Sequence, residues 1–305
     1  MLAIILATAG RPAFLTSLLQ RLALQSRRPD IVVVAPSKAG DMADSLPQIV
    51  ERLPYTVMIV SGRSGLADQR NGCLDWLFYK YPECASSTSV IIALDDDFLP
   101  ERRWLERCEA IFLANGSYAG VTGTLLADGA SNAGYDEAEG DAILATGQPL
   151  LPATDWRRKP GMVEGLYGCN MAFRGSVARD LRFDANLPLY SWQEDFDFSS
   201  RLKLKGELYC SDELIGVHLA TKTGRTQGLR MGYSQIANLI YLARKGTCPP
   251  GRATKFILKN VLSNVARSIA FQEPYVDRRG RLRGNVIALA HLMVGRLKPS
   301  YILQL

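Results

Sequence analysis

Three acidic residues, Asp95, Asp96 and Asp97, follow directly on the apolar run 90–94. Such a run indicates a buried strand, and Pro100 is expected to begin a helix soon after it. Like charges this close repel one another, and a divalent cation such as Mg²⁺ or Mn²⁺ would offset the repulsion and could hold a diphosphate. Acids are also favoured at an exposed helix N-terminus. The triplet therefore indicates either a metal site or a helix start.

A second acidic group lies beside aromatic residues in the segment 191–198. Glu194 and Asp195 stand at a predicted helix start, close to Trp192. A carboxylate in such surroundings can acquire the basicity that a general base needs. The alternative is ordinary capping of the helix by one of the two acids.

The chain contains two histidines. His218 ends a predicted short strand at 214–218, and imidazole is a common ligand of transition metals. A single histidine at such a place also fits a structural role. His291 falls in an apolar helical segment and is expected in a core or an interface.

The elements that must position these residues alternate between apolar strands and amphipathic helices. The predicted strands are 2–7, 31–35, 55–60 and 90–94, and the helices between them are 13–24, 42–52 and 66–79. This alternation predicts an α/β fold with a mostly parallel sheet and helices on both faces. Ligands bind such sheets beyond the carboxyl ends of the strands, where residues 95–97 would lie.

The pattern loosens after residue 121. Residues 124–160 are rich in Gly, Ala, Asp and Pro, which predicts a long mobile loop of the kind that often covers an active site. Order returns at 162–174. The remaining predictions are a helix at 193–205, strands at 207–210 and 214–218, and helices at 230–245, about 254–271 and about 284–297.

The composition is that of a folded α/β protein. The chain has 305 residues, of which 47% are hydrophobic and 22% charged, which excludes a disordered, collagenous or disulfide-scaffold protein. Six scattered cysteines without a Cys-x-x-Cys pair indicate reduced thiols in a cytoplasmic protein. No apolar run approaches the roughly 18 residues of a membrane span.

Charge is distributed unevenly along the chain. Residues 1–218 hold 21 Lys/Arg and 28 Asp/Glu, a net −7, whereas residues 219–305 hold 15 and 2, a net +13. Such asymmetry favours contact with nucleic acid or an anionic membrane. A basic tail that folds back on an acidic body is the alternative.

Taken in order, these motifs resemble the inverting GT-A nucleotide-sugar glycosyltransferases, specifically glycosyltransferase family 2. The resemblance covers about residues 1–230 and includes the DXD motif. It rests on the segments 4–12, 65–71, 95–97, 168–174 and 194–195, and it ends near His218.

The resemblance implies a Rossmann-like GT-A domain over residues 1–230, with a mostly parallel central sheet and helices on both faces. Its nucleotide-binding half would be 1–123 and its acceptor-binding half 124–230. A helical basic C-terminal extension would follow at 231–305.

The resemblance also implies site residues. Asp195 would be the catalytic base, and Asp97 and His218 would bind Mn²⁺ or Mg²⁺. The donor-binding residues would be Thr8, Arg11, Pro12, Asp68, Arg70, Asn71, Asp95 and Asp96. The acceptor-binding residues would be Gly168, Cys169, Asn170, Trp192 and Glu194.

The implied reaction is the transfer of a hexosyl group from a nucleotide sugar to a hydroxyl of a saccharide acceptor, with inversion in a single displacement. The acceptor would be lipid-linked, on the cytoplasmic side of the cell membrane, in cell-surface polysaccharide synthesis. Family members commonly place an acid after the second strand to read the base, and 34–38 lacks one. UDP is favoured, while GDP and dTDP remain open. A metal-dependent nucleotidyltransferase and a nucleic-acid-binding protein that uses the basic tail are the alternatives.

Three further segments carry open interpretations. The basic stretch 221–225 is either a lid over the diphosphate or a solvated turn, and Trp156 with the basic 157–159 is expected in an acceptor-side loop. The amphipathic segment 255–269, followed by the basic cluster 278–283, is typical of a helix on an anionic membrane. A helix packed on its own domain is the alternative.

Overall fold

The computed structural model describes residues 1–222, 227–270 and 274–305. The strands are β1 (Leu2–Thr8), β2 (Ile31–Pro36), β3 (Thr56–Ile59), β4 (Val90–Asp95), β5 (Phe98–Pro100), β6 (Tyr118–Asp128), β7 (Gly161–Met162), β8 (Asn170–Arg174) and β9 (Glu207–His218). The helices are α1 (Pro12–Ala23), α2 (Leu46–Val50), α3 (Leu66–Lys80), α4 (Trp104–Ala114), α5 (Glu137–Thr146), α6 (Gly175–Ala178), α7 (Glu194–Leu202), α8 (Gly228–Lys245), α9 (Pro250–Ala270) and α10 (Arg278–Met293).

The described strands form one sheet in the order β3-β2-β1-β4-β8-β6-β9-β5, with β7 beside β9. Strands β3, β2, β1 and β4 are parallel, and all seven residues of β1 are buried. Leu2, Ile4 and Leu6 pack with α1 and α4 on one face, whereas Ala3 and Ile5 pack with α3 on the other. The predicted α/β fold with helices on both faces is confirmed.

Antiparallel pairs extend the sheet beyond β4, which makes it a mixed sheet. Strand β8 runs antiparallel to both β4 and β6, β9 runs parallel to β6, and β5 runs antiparallel to β9. The β5 pairing sets Phe98 opposite His218. The turn between β4 and β5, which carries the acidic triplet, is thereby brought to the end of β9.

Four predictions about local structure are corrected. Pro100 ends β5 because 98–100 pairs with β9, and the next helix starts only at Trp104. The helix predicted at 42–52 is reduced to α2. The strands predicted at 207–210 and 214–218 are one continuous strand, β9, because β6 pairs along its length.

The fourth correction concerns residues 124–160, predicted as a structureless loop. Strand β6 continues to Asp128, and the segment then contains α5. A reciprocal capping box begins α5, because Asp136 and Glu139 each accept a hydrogen bond of 2.8 Å from the other's backbone N–H. Gly147 ends the helix with a left-handed φ of 64°. The Gly/Ala-rich composition of α5 conceals the helical period.

The C-terminal helices α8, α9 and α10 pack on one another and on residues 1–218, which contain the sheet and are called the sheet domain below. Leu239 and Leu242 of α8 share a buried cluster with Leu187 and Phe196. Lys245, near the end of α8, binds the carboxylates of Asp184 and Asp197. Part of the basic tail therefore does fold back on acidic residues of the body.

A buried amide network joins α8, α9 and α10. Asn264 donates to Gln235 Oε1 at 2.9 Å and to Asn285 Oδ1 at 2.8 Å, and Asn285 donates to the Gly232 carbonyl at 2.7 Å. A side chain at Gly232 would collide with the Arg281 backbone carbonyl, so glycine permits the close approach of α8 and α10.

The second histidine has a structural position. His291 is hydrogen-bonded to the Tyr233 hydroxyl at 3.0 Å and lies edge-on to Tyr301. These contacts join α10 to α8 and to the 3₁₀ turn Pro299–Gln304. The expected place in a core or interface is confirmed.

The six cysteines are buried and form no disulfide with one another. Burial raises the pKa of Cys73 and Cys84 to about 12, so both thiols are protonated and unreactive at neutral pH. Among the described helices, none combines the length and apolar character that crossing a bilayer requires.

Candidate active site

The acidic triplet comprises the last residue of β4 and the turn before β5, and it is held by residues at the end of β1 and just after it. The Thr8 hydroxyl donates to Asp96 Oδ2 at 2.6 Å. Arg11 lies 2.6 Å from Asp97 through Nη1 and 3.1 Å from Asp96 through Nη2. Burial, with the neighbouring charge of Asp97, raises the pKa of Asp96 to about 7 although Arg11 opposes this. Thr8 and Arg11 thus hold the side chains of Asp96 and Asp97 in place.

A group suited to a metal ion is formed by Asp95, Asp97 and His218, whose ligand atoms all lie within 4.8 Å of one another. His218 Nε2 is 3.6 Å from Asp97 Oδ1, a buried oxygen with no hydrogen bond among the described residues. Its Nδ1 lies 2.9 Å from Asp128 Oδ1. A carboxylate behind a histidine ligand is the arrangement that orients imidazole toward a metal. These residues fit Mn²⁺ or Mg²⁺.

The charges around His218 explain its protonation. Burial lowers the pKa of His218, but Asp128 and Asp97 more than offset this and raise it to about 10. Burial would raise the pKa of Asp97, yet the neighbouring imidazolium of His218, together with Arg11, lowers it to about 2. A metal ion at this site must replace the imidazolium proton.

Asp128, which sequence reasoning missed, supports this group from the end of β6. It accepts hydrogen bonds from Arg157 Nη1 at 2.5 Å and from the Tyr167 hydroxyl at 2.7 Å. Its place at the end of a strand is a signal that could have identified it, but the apolar pattern loosens after residue 121 and no strand is predicted over 118–128.

Arg70 is buried at the centre of a second carboxylate group. It donates to Glu194 at 2.6 Å, to Asp95 at 3.0 Å and to the Gly168 carbonyl at 2.8 Å. Burial raises the pKa of Glu194 to about 8, against the charge of Arg70. Arg70 therefore positions a side chain at the end of β4 together with groups at Gly168 and at the start of α7. Its predicted contact with the donor stays a prediction.

Three cavities meet around these residues. The central cavity, about 360 Å³, is lined by the metal-site residues together with Arg70, Glu194 and Asp195. The edge cavity, also about 360 Å³, lies at the ends of β1 and β2 and is lined by Thr8, Ser37 and Gln69 among others.

The groove, about 590 Å³, shares Tyr167, Gln193 and Asp195 with the central cavity and none of its lining residues with the edge cavity. Its lining includes Trp156, Tyr167, Phe196 and Phe256, so aromatic rings face the space. Arg252 stacks over the Phe196 ring at 4.0 Å. Trp156 thus lines the groove, and its expected place in an acceptor-side loop stays a prediction.

Asp195 lines both the central cavity and the groove. Its Oδ1 accepts the Phe196 N–H at 2.8 Å and its Oδ2 accepts the Gly168 N–H at 3.2 Å. Burial raises the pKa of Asp195. Its carboxylate is thus a stronger base than an exposed aspartate and stands where two ligands would meet.

The remaining predicted residues have varied positions. Cys169 and Trp192 line the central cavity. Asn170 is fully buried and bonded to the Thr122 hydroxyl, and Asn71 exchanges hydrogen bonds of 2.7 and 2.9 Å with the Phe183 backbone. Pro12, Asp68, Asn71, Asp96 and Asn170 line none of the three cavities. Their predicted ligand contacts stay predictions.

The segment before α7 is strained. Leu189, Ser191 and Gln193 have φ values of 61°, 50° and 73°, in the left-handed region that non-glycine residues rarely adopt. The Ser191 hydroxyl donates to the Leu187 carbonyl at 2.5 Å, which helps to hold this path. Strain of this kind concentrates at functional sites. No sequence signal marks it, because glycine is absent.

The C-terminal helices contribute residues that sequence reasoning also missed. Gln235, Asn260 and Arg281 line the central cavity, and Asn260 Nδ2 is buried without a hydrogen bond among the described residues. Of the predicted basic lid, the Thr221 N–H donates to Asp97 at 3.0 Å and Lys222 donates to the Gly129 carbonyl at 2.7 Å. Residues 223–225 lie outside the described residues.

Comparison with known proteins gives structural likeness at low sequence identity. No protein-family model matches the chain, and no curated protein sequence matches it. S. aureus TarS 1–349 in complex with UDP is 14% identical, with a TM-score of 0.53 over 88% of this chain and 72% of that chain. The longer S. aureus TarS chain is 15% identical, with a TM-score of 0.51 over 88% of this chain. The alignment covers only 44% of that TarS chain.

A second solved structure is similar over nearly the whole chain. The mannosyltransferase PcManGT from Pyrobaculum calidifontis, in complex with GDP-Man and Mn²⁺, is 14% identical with a TM-score of 0.51. The alignment covers 99% of this chain and 84% of that chain. At such identities the likeness concerns the fold alone. The chain therefore has a glycosyltransferase-like α/β fold.

Proposed function

We propose that this protein is an inverting, metal-dependent glycosyltransferase of family 2 that transfers a hexosyl group from a nucleoside-diphosphate sugar to a hydroxyl group. One observation carries the proposal. Asp195 stands between a cavity that contains a metal-type ligand group and a groove lined with aromatic rings. A glycosyl donor and a glycosyl acceptor need this arrangement around one base.

The donor is proposed to extend from the edge cavity into the central cavity, with its nucleoside near Thr8 and its diphosphate near the metal group. Asp95, Asp97 and His218 would hold Mn²⁺ or Mg²⁺, which when bound offsets the negative charge of the departing diphosphate. The solved neighbours, in complex with UDP and with GDP-Man and Mn²⁺, support this class of ligand. UDP is the favoured nucleotide.

The acceptor is proposed to be a saccharide in the groove. Trp156, which is 61% exposed, offers a face on which a sugar ring packs, and Arg252 with Lys259 adds polar groups. The proposed acceptor is lipid-linked, in cell-surface polysaccharide synthesis on the cytoplasmic side of the membrane.

Asp195 would act as the base. Its carboxylate takes the proton of the acceptor hydroxyl while that oxygen attacks the anomeric carbon from the side opposite the diphosphate. The carbon–oxygen bond to the diphosphate breaks in the same step, so the configuration inverts. Arg70 and Gly168 hold the carboxylates and backbone around this centre.

The test is thermal melting with UDP, GDP and dTDP, each with and without Mn²⁺. Ligand at about a hundred times its dissociation constant should add about 2.7 kcal/mol to the free energy of unfolding. We expect a metal-dependent shift with UDP that Asp97→Ala abolishes. The matched control is Asp212→Ala, an exposed acid of β9. The absence of any metal-dependent nucleotide shift would contradict the proposal, and a shift that nucleic acid alone produces would favour the nucleic-acid alternative.

A further inference from the structure

The outward sides of α9 and α10 carry exposed apolar stripes. On α9 the stripe is Leu258, Leu262, Val265 and Ile269, at the helical spacings i, i+4, i+7 and i+11, and Leu262 and Ile269 are 66% and 84% exposed. On α10 it is Val286, Leu289 and Met293, with Met293 82% exposed. We define these seven residues as the apolar face.

The apolar face is not left over from poor packing of the two helices. Both helices turn buried asparagines, Asn264 and Asn285, toward α8, where the amide network satisfies them. The seven residues of the apolar face are exposed to solvent, so these polar contacts leave them uncovered. Exposed apolar residues in rows of this kind mark an interaction surface.

Basic side chains accompany the apolar face. Lys255 on α9, Arg279 and Arg283 on α10, and Arg296 and Lys298 beyond it are all exposed. Residues 250–305 hold ten Lys/Arg against two Asp/Glu. A surface that is both apolar and basic matches a bilayer with anionic headgroups, in which apolar side chains enter the acyl boundary and basic ones meet phosphate.

Other occupants fit less well. A second copy of the chain would bring these like charges together around the contact. Nucleic acid would use the basic residues, but the apolar face has no aromatic ring on which a base could stack. The lipid surface alone uses both features.

We infer that the apolar face of α9 and α10 docks the protein on anionic lipid membranes. Helix α9 also supplies Phe256 and Lys259 to the groove, so docking would bring the groove next to the bilayer surface. This deepens the proposed function by placing a lipid-linked acceptor there. Only that last step rests on the proposed function, because the docking itself needs no turnover.

The experiment is co-sedimentation of the full chain with vesicles of phosphatidylcholine, or of phosphatidylcholine and phosphatidylglycerol in equal parts. We expect binding to the anionic vesicles that weakens as salt rises. The double variant Leu262→Asp/Ile269→Asp should lose about tenfold or more in partition coefficient. Lys255→Gln/Arg283→Gln should lose about fivefold for each charge removed.

The matched control is Leu113→Asp/Leu204→Asp, which alters leucines that are 67% and 83% exposed on the sheet domain. It should bind vesicles like the wild type. Equal binding by wild type and Leu262→Asp/Ile269→Asp, or no binding by the wild type, would overturn the inference. Self-association lost on Ile269→Asp without vesicle binding would assign the face to a second copy. Nucleotide-induced melting shifts, measured on the same variants, report the proposed function separately.

Discussion

At the scale of single residues, the two adjacent acids at the start of α7 have different partners. Glu194 is bound to Arg70, whose guanidinium is shared with Asp95. Asp195 is bound by two backbone N–H groups, and it forms no ion pair within the described part of the chain. A carboxylate held by neutral donors keeps lone pairs for further hydrogen bonds. Glu194 and Asp195 therefore differ in what they can still bind, and the proposed role of Asp195 as the base depends on this difference.

Replacement of Asp195 by asparagine tests this division. The amide keeps the shape of the carboxylate but cannot accept a proton, so we expect release of the nucleoside diphosphate from the donor to slow by about 10²–10⁴-fold. The affinity for nucleotide with Mn²⁺, measured by calorimetry, should stay within about twofold, because Asp195 is not assigned to donor binding. Asp180→Asn, at an exposed acid, is the control. Unchanged turnover would remove Asp195 from the mechanism.

At the scale of elements, α8 is fastened to the sheet domain by buried carboxylates. Lys245 Nζ lies 2.5 Å from Asp184 and 2.8 Å from Asp197, and the Tyr241 hydroxyl donates to Asp184 at 2.9 Å. Burial would raise the pKa of Asp184, but the bond from Lys245 lowers it to about 2. Because α8 also lines the central cavity through Gln235, this contact bears on the site.

Lys245→Met is expected to lower the free energy of unfolding by about 2 kcal/mol at neutral pH, since it removes the cation from the buried Asp184 carboxylate, whereas Asp197 keeps Arg201 at 2.7 Å. The folded-state pKa of Asp184 lies below its ordinary value of about 4. Its contribution is thus complete above about pH 4 and is lost as pH falls toward 2. Denaturation at neutral and acid pH should therefore show the difference between variant and wild type shrinking in acid.

Lys203→Met is the control for this prediction. Its partner Glu164 is exposed, so its loss should cost less than about 1 kcal/mol at any pH. A Lys245→Met deficit that stays constant down to pH 2 would show that the lysine stabilises the fold through packing of its stem alone.

The elements also show how far sequence reasoning reaches. Continuous apolar runs predicted β1, β2 and β4, and with them the edge at which Asp97 lies, whereas the pairing of Asp97 with His218 was implied only by the family resemblance. Tertiary pairing decided the rest: β5 exists because β9 lies beside it, and α5 has too little apolar periodicity to be seen. The part of the central cavity that the C-terminal helices line, which includes Asn260, depends on contacts between distant segments.

At the scale of the whole molecule, the central cavity shares lining residues with the edge cavity and with the groove, and the C-terminal helices also contribute to its lining. The sheet domain and the C-terminal helices differ in the number of buried apolar contacts that hold them. The sheet domain has two large buried clusters, whereas Cys248 belongs to a small cluster where α8 and α9 meet the domain. Segments with few buried apolar contacts open at lower free energy than a core does.

The distribution of buried thiols allows local unfolding of the protein to be followed by cysteine labelling. Cys73, Cys84, Cys108, Cys169 and Cys210 are distributed through the sheet domain, and Cys248 reports on the C-terminal helices. Pulsed alkylation with mass spectrometry in rising denaturant should label Cys248 first, at concentrations where the other five stay protected. Labelling of all six together would instead mean that the helices and the sheet unfold as one unit. In a cell, the same order would mean that opening of the C-terminal helices is the first event that exposes the protein to oxidants and proteases.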